Sequence, residues 1–388
     1  MSLPVYGEPV HIIVIMPQAA GYFSEVLKGI GAFAMQARTW RCEFFPFYSH
    51  ALKRISRQKP RGLIANVDRE YLYHELLETQ IPIVAVTERS GQQIVRVGID
   101  EEQVGHLAAE YLLDRGFQHF GFCGYEDAPY SIGRESGFRS RLEKSNCSLS
   151  SFFFNEHSDY ADREQQRMES WFMSIPHPGA VLAVNDGMGL QLLQIAEWLG
   201  IRVPEDIAIL GVDNNDWQCQ FAYPPLSSID LQPQRIGYEA ASILYKIIEG
   251  ESPPAQPVLY PPVGVVTRQS TDILAIRDPQ IAEAISFIRR QAHRPINVSD
   301  VLKHVPVARR TLEKQFHHVL GRSPLQEISR VRVSFAKDLL VRTDLSMAAI
   351  AEQCGFYDAS QLANAFRKNT GQSPSVFRKE SRLACVSR

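Results

Sequence analysis

Seven short apolar runs, spaced by longer stretches of helical period, constrain the first 275 residues of this chain more than any other feature. The runs are 12–16, 62–67, 83–86, 95–99, 120–123, 180–184 and 207–212, rich in Val, Ile, Leu and Ala. A strand with one wet face would alternate apolar and polar residues, whereas an unbroken run suits a strand covered on both faces. Such strands belong to parallel sheets sandwiched by helices. Stretches 23–36, 70–78, 101–113, 133–142, 189–199 and 234–248 supply apolar residues at helical spacing between them. This is too much chain for a single doubly wound sheet, so the expectation is an α/β body of two similar lobes.

The pattern stops after five prolines at 253, 254, 257, 261 and 262. Proline removes a donor and breaks helices. Beyond Asp278 every apolar period is helical, which places a domain boundary near 271–278. Charge changes there too. Residues 1–276 hold 22 Lys and Arg against 33 Asp and Glu, and residues 277–388 hold 19 against 10. The net charge of -2 therefore hides an acidic body and a basic tail, and a basic tail suits a polyanion.

The tail repeats. Val298, Val301, Leu302 and Val305 occupy one helical face, and Met347, Ile350, Ala351 and Cys354 do the same 49 residues on. Leu312 and Phe316 answer to Leu362 and Phe366, and Gly321-Arg322-Ser323-Pro324 to Gly371-Gln372-Ser373-Pro374, both 50 residues apart. Each copy reads as helix, turn, helix. Between them Ser323 suits an N-cap and Pro324 a first helical residue, so one helix should run to about Arg342. Exposed positions of the two second helices carry Arg309, Arg310, Lys314, His317 and His318, then Ser360, Gln361, Asn364, Arg367 and Lys368. Cations, amides and hydroxyls together are what phosphates and base edges require, which favours double-stranded DNA over a protein partner.

Other function classes find no support. No cysteine pair has metal or disulfide spacing, no cofactor or metal is expected, and the histidines show no ligand pattern. Signatures of serine hydrolases, zinc proteases, nucleotide-binding loops and dinucleotide folds are missing, so the chain reads as a non-enzyme. Ser56-Arg57-Gln58-Lys59 matches S-x-x-K, but amid Lys53, Arg54 and Arg61 it reads as a solvated helix end. The apolar run at 10–16 is too short to span a membrane and has no basic leader, which points to a cytoplasmic protein.

From Asp278 to Arg378 the tail resembles the arabinose-operon-regulator (AraC/XylS) family, above all over 346–379, SMAAIAEQCGFYDASQLANAFRKNTGQSPSVFRK. The resemblance puts Arg310, Glu313 and Lys314 of the first unit, and Ser360, Gln361 and Asn364 of the second, opposite bases. Arg309 and Arg367 flank them. Glu313 could instead pair with Arg309 or Arg310. Pro306 stands where that family usually has Gly, so the first turn should differ from the second.

The body resembles the ligand-binding core of the lac-repressor (LacI/GalR) family, whose fold is that of type I periplasmic sugar-binding proteins. The likeness rests on Val97-Gly98-Ile99-Asp100, Gly133-Arg134-Glu135-Ser136-Gly137-Phe138, Asn185-Asp186, Gly211-Val212-Asp213-Asn214 and Pro224-Pro225-Leu226-Ser227-Ser228-Ile229. That family places its DNA-binding headpiece ahead of the core, whereas here the first strand begins near Val10 and the tail takes the headpiece's role. This order of parts is similar to one known among bacterial sugar-operon activators. The two resemblances imply a ligand-binding domain over 8–275, with lobe 1 at about 8–100 and 232–258 and lobe 2 at about 101–231 and 259–275. They imply a DNA-binding domain over 277–388, all-α, with helix-turn-helix units near 298–318 and 347–368.

The implied function is a transcription regulator that senses a small molecule, a sugar above all and a pentose such as xylose by preference. Another sugar, a purine, or a tail that binds protein are the alternatives. A homodimer, an operator with repeated half-sites and a contact with RNA polymerase are the implied partners. Ligand-binding candidates follow from position and chemistry. Arg134 can donate a fork of hydrogen bonds, and Asp213, Asn185 and Asp186 follow strand ends, where open α/β folds bind ligands. Tyr22 and Phe23 could close on a sugar from lobe 1, or belong to the core, and Asp186 and Asp213 could instead be helix caps.

Overall fold

All seven apolar runs become strands, and all seven lie inside a sheet with neighbours on both sides. The computed structural model describes residues 9–17, 21–37, 39–46, 48–67, 70–86, 93–155, 161–273 and 278–383. By its internal contacts the chain divides into Met1–Leu112 with Gln118–Ile273, the body, and Leu113–Phe117 with Leu274–Arg388, the tail.

Lobe 1 of the body runs β1 (Val10–Ile15), α1 (Tyr22–Ala37), β2 (Trp40–Phe45), α2 (Tyr48–Gln58), β3 (Gly62–Ala65), α3 (Glu70–Glu78), β4 (Ile83–Val86) and β5 (Val95–Ile99). Lobe 2 follows with α4 (Glu101–Leu113), β6 (His119–Tyr125), α5 (Pro129–Glu143), β7 (Leu149–Phe154), α6 (Ala161–Met173), β8 (Gly179–Ala183), α7 (Asp186–Leu199), β9 (Ile207–Val212), α8 (Asp216–Phe221) and β10 (Ser227–Asp230). The chain then returns through α9 (Pro233–Ile248) and β11 (Val258–Tyr260) to lobe 1 and through β12 (Gly264–Val266) to lobe 2. The sheet orders are β2-β1-β3-β4-β5-β11 and β7-β6-β8-β9-β10-β12, the same winding twice. Among the described residues, only β12 pairs antiparallel, with β10.

The five strands that carry no apolar run have a common explanation. β2, β7, β11 and β12 are sheet edges, where one side of the strand is open and polar residues are tolerated. The fifth, β10, is internal, but its buried Ser227 and Ser228 spend their hydroxyls on Arg268 O at 2.9 Å and Asp186 Oδ1 at 2.5 Å.

Four glycines mark where helices cross. A Cβ on Gly105 of α4 would lie 2.1 Å from Arg134 O, and one on Gly137 of α5 would lie 2.0 Å from Glu102 O. No side chain fits there, so α4 and α5 cross backbone to backbone and bring Glu101 beside Arg134. Gly29 and Gly237 do the same for α1 and α9.

Among its described residues the tail's regular structure is all helix: α10 (Pro279–Gln291), α11 (Val298–His304), α12 (Arg309–Leu320), α13 (Pro324–Arg342), α14 (Met347–Gln353), α15 (Ala359–Thr370) and α16 (Pro374–Leu383). Two hydrophobic cores form, one per copy of the repeat, and α13 is shared between them. It gives Ile328 and Val331 to the first core and Val333, Ala336 and Leu340 to the second. Its 19 residues span ~28 Å and open on a capping box between Ser323 and Gln326. Arg332 locks its middle, donating to the carbonyls of Ala292, Arg294 and Ile296 at 2.9 Å each. The turns differ as Pro306 implies. α11 ends on Val305 in extended conformation, φ −120°, whereas α14 ends on Cys354, φ −96°, and turns through left-handed Gly355, φ 75°.

Candidate functional site

The body's candidate site is built at the carboxyl ends of β8 and β9, where α4 and α5 begin. Arg134, on the first turns of α5, is almost wholly buried. Its Nε donates to Glu101 Oε2 at 2.5 Å and an Nη to the Val184 carbonyl at the end of β8, and its guanidinium lies 5.0 Å from the Tyr130 ring centroid. Its other Nη stands 3.9 Å from Asp213 Oδ1, beyond hydrogen-bond reach but close enough for one hydroxyl to bridge. Burial works against the guanidinium charge, but Glu101 and Asp213 outweigh it and hold the Arg134 pKa above its ordinary value.

Asp213 sits on a loop of unusual backbone. Asp213 has φ 106° and Asn214 φ 50°, sparsely populated for residues with side chains and held only where the surroundings impose them. Three partners impose them here. Asp213 N donates to Ile229 O, Asn214 N to Ser228 Oγ, and Arg268 donates to Asn214 Oδ1. The fourth support is Asp186. It is fully buried and accepts from Asn215 N at 2.7 Å, Ser228 Oγ at 2.5 Å and Cys219 Sγ at 3.4 Å. A Cβ at Gly211 would lie 2.3 Å from Asp186 Oδ1, so glycine leaves the carboxylate its room. Burial pushes the Asp186 carboxyl up to about 6, against the pull of those donors. The structure thus places Asp186 beneath the loop that carries Asp213. The cap of α7 is Asn185, whose side chain accepts from Met188 N at 2.8 Å.

Lobe 1 meets this loop at the entry to α1. Gly21, φ 99°, lies so close to Asn215 that a Cβ would sit 2.8 Å from its Nδ2. Tyr22 and Phe23 follow at once, half-buried, with ring centroids 5.4 Å apart and planes at 85°. The fold therefore gathers Tyr22, Phe23, Arg134 and Asp213 around the Gly21–Asn215 approach. Sequence reasoning did not single out Glu101, Tyr130 and Arg268. Only their partners carried a motif, and the partners are 33 or more residues away in two of the three cases.

In the tail, the second helix of each copy presents its candidates to solvent. Arg310 and Lys314 are exposed on α12, and Ser360, Gln361, Asn364 and Arg367 on α15. Leu312, Phe316 and Leu320, and likewise Leu362 and Phe366, face the cores from the opposite side. Glu313 pairs with Arg309 at 3.0 Å, one turn away on the same helix. Asp358 caps α15 by accepting from Gln361 N at 2.7 Å, and the Gln361 side chain accepts from Tyr357 N at 2.8 Å, which leaves its NH2 group to donate.

Comparison with known proteins fits both halves. A Periplasmic binding protein-like domain family matches residues 109–271, and a Helix-turn-helix domain family matches residues 301–380. The Xylose operon regulatory protein of Haemophilus influenzae is 29% identical over 92% of this chain and 95% of its own. That of Escherichia coli K12 is 26% identical over 92% and 94%. A solved structure of a xylose-binding transcription activator superposes with a TM-score of 0.63 at 25% identity, over 97% of this chain and 99% of that one. Over nearly its whole length the chain is similar to xylose-operon regulators, which are transcription factors. It joins a lac-repressor-type core to an AraC-type DNA-binding domain, and it is a regulator and not an enzyme. The matched helix-turn-helix region, residues 301–380, contains both exposed second helices of the tail. Among the described residues, no helix of this regulator is long and apolar enough to cross a membrane.

Proposed function

We propose that this regulator is a cytoplasmic activator that binds a pentose, xylose by preference, in the cleft between its lobes and reads its operator as a homodimer. The observation that carries the ligand reading is the 3.9 Å interval between Arg134 and Asp213. A sugar hydroxyl can accept from the guanidinium and donate to the carboxylate in one step, a charge-assisted pair on both sides. Tyr22 and Phe23 supply apolar faces for the ring carbons, Asn185 stands at the end of the strand beside Arg134, and Asp186 positions the Asp213 loop from below. The relatives' names supply the preference for xylose. In the tail, Arg310 and Lys314 suit guanine, Gln361 and Asn364 suit adenine, and Ser360 suits either. Glu313 reads cytosine or stays with Arg309, and Arg309 and Arg367 reach phosphates.

Calorimetry with xylose, other pentoses, hexoses and purines tests the first half. Xylose should bind tightest, and Asp213→Ala should abolish binding while leaving DNA affinity of the tail unchanged. A purine as the tightest ligand would overturn the assignment. The homodimer is what the resemblance to lac-repressor-like cores, which pair through their lobes, implies; since one tail can span two groove segments, a pair would read two half-sites. Linkage then requires operator DNA and sugar to tighten each other's binding by one factor. Sugar titration with paired sites, a single site and no DNA measures it, and equal affinity in all three would leave only a later step, such as RNA polymerase contact, for control.

A further inference from the structure

The body is acidic overall, yet residues 41–61 carry six cations, Arg41, Lys53, Arg54, Arg57, Lys59 and Arg61, and one carboxylate, Glu43. The fold gathers them at one end of lobe 1. His11 of β1 stands opposite Arg41 of β2, and Arg61, at the start of β3, donates its backbone N–H to His11 O at 2.8 Å. Neighbouring strands lie about 4.8 Å apart, so Arg41, His11 and Arg61 form a row across the amino ends of three strands. α2 ends beside them, since Gln58 lines one hollow of about 440 Å³ with Pro9, His11 and Arg41. Lys53 and Arg57, four residues apart, share a face of α2.

Glu43 is already used twice, by His11 at 3.0 Å and by Arg54 at 3.0 Å. Among the described residues no carboxylate pairs with Arg41, Lys53, Arg57, Lys59 or Arg61, and all five are exposed. A helix C-terminus attracts cations, which accounts for Arg57 and Lys59. It does not account for Arg41 and Arg61, which open strands. Nor is the sugar the reason, because such folds bind ligands at the carboxyl ends of their strands and this row lies at the amino ends. Cations collected on one edge of an acidic body fit a polyanion, and the tail already brings the chain to one.

We propose that this edge of lobe 1 is a second, sequence-independent contact for the phosphate backbone of duplex DNA, outside the sites that the tail reads. It rests on DNA binding by the tail. The test uses the full chain and its operator, once as a duplex limited to the protected region and once extended by about three helical turns on each side. Each phosphate neutralised adds about 0.9 to the slope of log K against log salt. Wild type should bind the long duplex more tightly and with a slope steeper by about 2–4. The variant Arg41→Gln, Arg57→Gln, Lys59→Gln, Arg61→Gln should lose that extra slope and match wild type on the short duplex. Its melting temperature and sugar affinity report that the fold is intact. An unchanged slope on the long duplex, or an equal loss on both duplexes, overturns the proposal. Binding of wild type but not the variant to phosphatidylglycerol vesicles, with the DNA slope unmoved, also overturns it in favour of a membrane surface. Failure of wild type to bind either duplex defeats the tail's reading as well, a result distinct from loss of the length-dependent slope alone.

Discussion

Asp186 of the body and Glu327 of the tail are both fully buried carboxylates, and they are held in opposite ways. Asp186 meets neutral donors, a backbone amide, a hydroxyl and a thiol. Burial pushes its carboxyl up to about 6. Burial acts on Glu327 too, but Arg330, Arg322 and Arg289 overcome it and hold that carboxyl down at about 2. Arg322 donates to Glu327 at 2.5 Å and Arg330 at 2.9 Å, and both also reach Asp114, which the contacts assign to the tail unit. The tail's carboxylate is a permanent charge that ties helices together. The body's is poised near neutrality under the loop that carries Asp213, where a change of surroundings can alter it. Scaffold chemistry and sensor chemistry are thus separated by what surrounds the same functional group.

The largest effect should come from Glu327→Ala. Removing one member of a buried ionic cluster leaves the other charges uncompensated, typically a loss of about 3–5 kcal/mol. Asp114 keeps two of the arginines company, so the lower end of that range is expected. Urea unfolding followed by DNA binding should show the tail melting early while sugar binding by the body persists. A loss of less than about 1 kcal/mol would mean that the cluster holds nothing together.

Asp186→Ala should come next. It strands the Asn215 amide and the Ser228 hydroxyl, at about 1–3 kcal/mol for unsatisfied buried groups. The Asp213 loop then loses its floor, and sugar affinity should fall at least tenfold. Asp186→Asn, which can still accept one hydrogen bond, should recover part of both. If calorimetry gives wild-type affinity for the alanine variant, the loop stands without Asp186.

This ordering bears on what the sequence makes legible. The inner strands can be read because burial on both faces leaves no room for polar residues, and β2 (Trp40–Phe45) cannot because an edge does not exclude them. The repeat in the tail can be read to within a residue or two, with α12 and α15 starting 50 apart at Arg309 and Ala359, since each copy must build its own core. Arg134 and Asp213 are visible by their place after glycines and strands. Glu101 and Glu327 are not, because nothing local distinguishes them from other helical glutamates. Their importance comes from what the fold packs around them, and that is set by helix crossings far along the chain.

The pH dependence sharpens the contrast. Glu327 has a depressed pKa, so its contribution is present above the unfolded value of about 4.3 and is lost as pH falls toward 2. Asp186 has a raised pKa, so its contribution is present below about 4 and is lost as pH climbs through about 6. Comparing wild type with Glu327→Gln should therefore show a stability gap that narrows in acid. Comparing it with Asp186→Asn should show wild type losing ground between pH 4 and 6. The same sign for both would mean that the two carboxylates are not held in opposite ways.

The smallest effect concerns the surface, where charge is cheap. Glu313 and Arg309 form an exposed pair one turn apart on α12 (Arg309–Leu320), and such pairs contribute about 0.3–0.5 kcal/mol. Glu313→Gln should thus leave the tail's melting almost unmoved, unlike the same change at Glu327. Its consequence should appear in DNA recognition instead. If Glu313 accepts from cytosine N4, the glutamine variant relaxes the preference at one base position by about 1–3 kcal/mol and leaves the salt slope alone. If it only restrains Arg309, the variant frees a cation, binding strengthens uniformly across operator sequences, and the salt slope rises. A selection of preferred sites for wild type and variant, read beside the salt slope, decides between a glutamate that reads and one that holds.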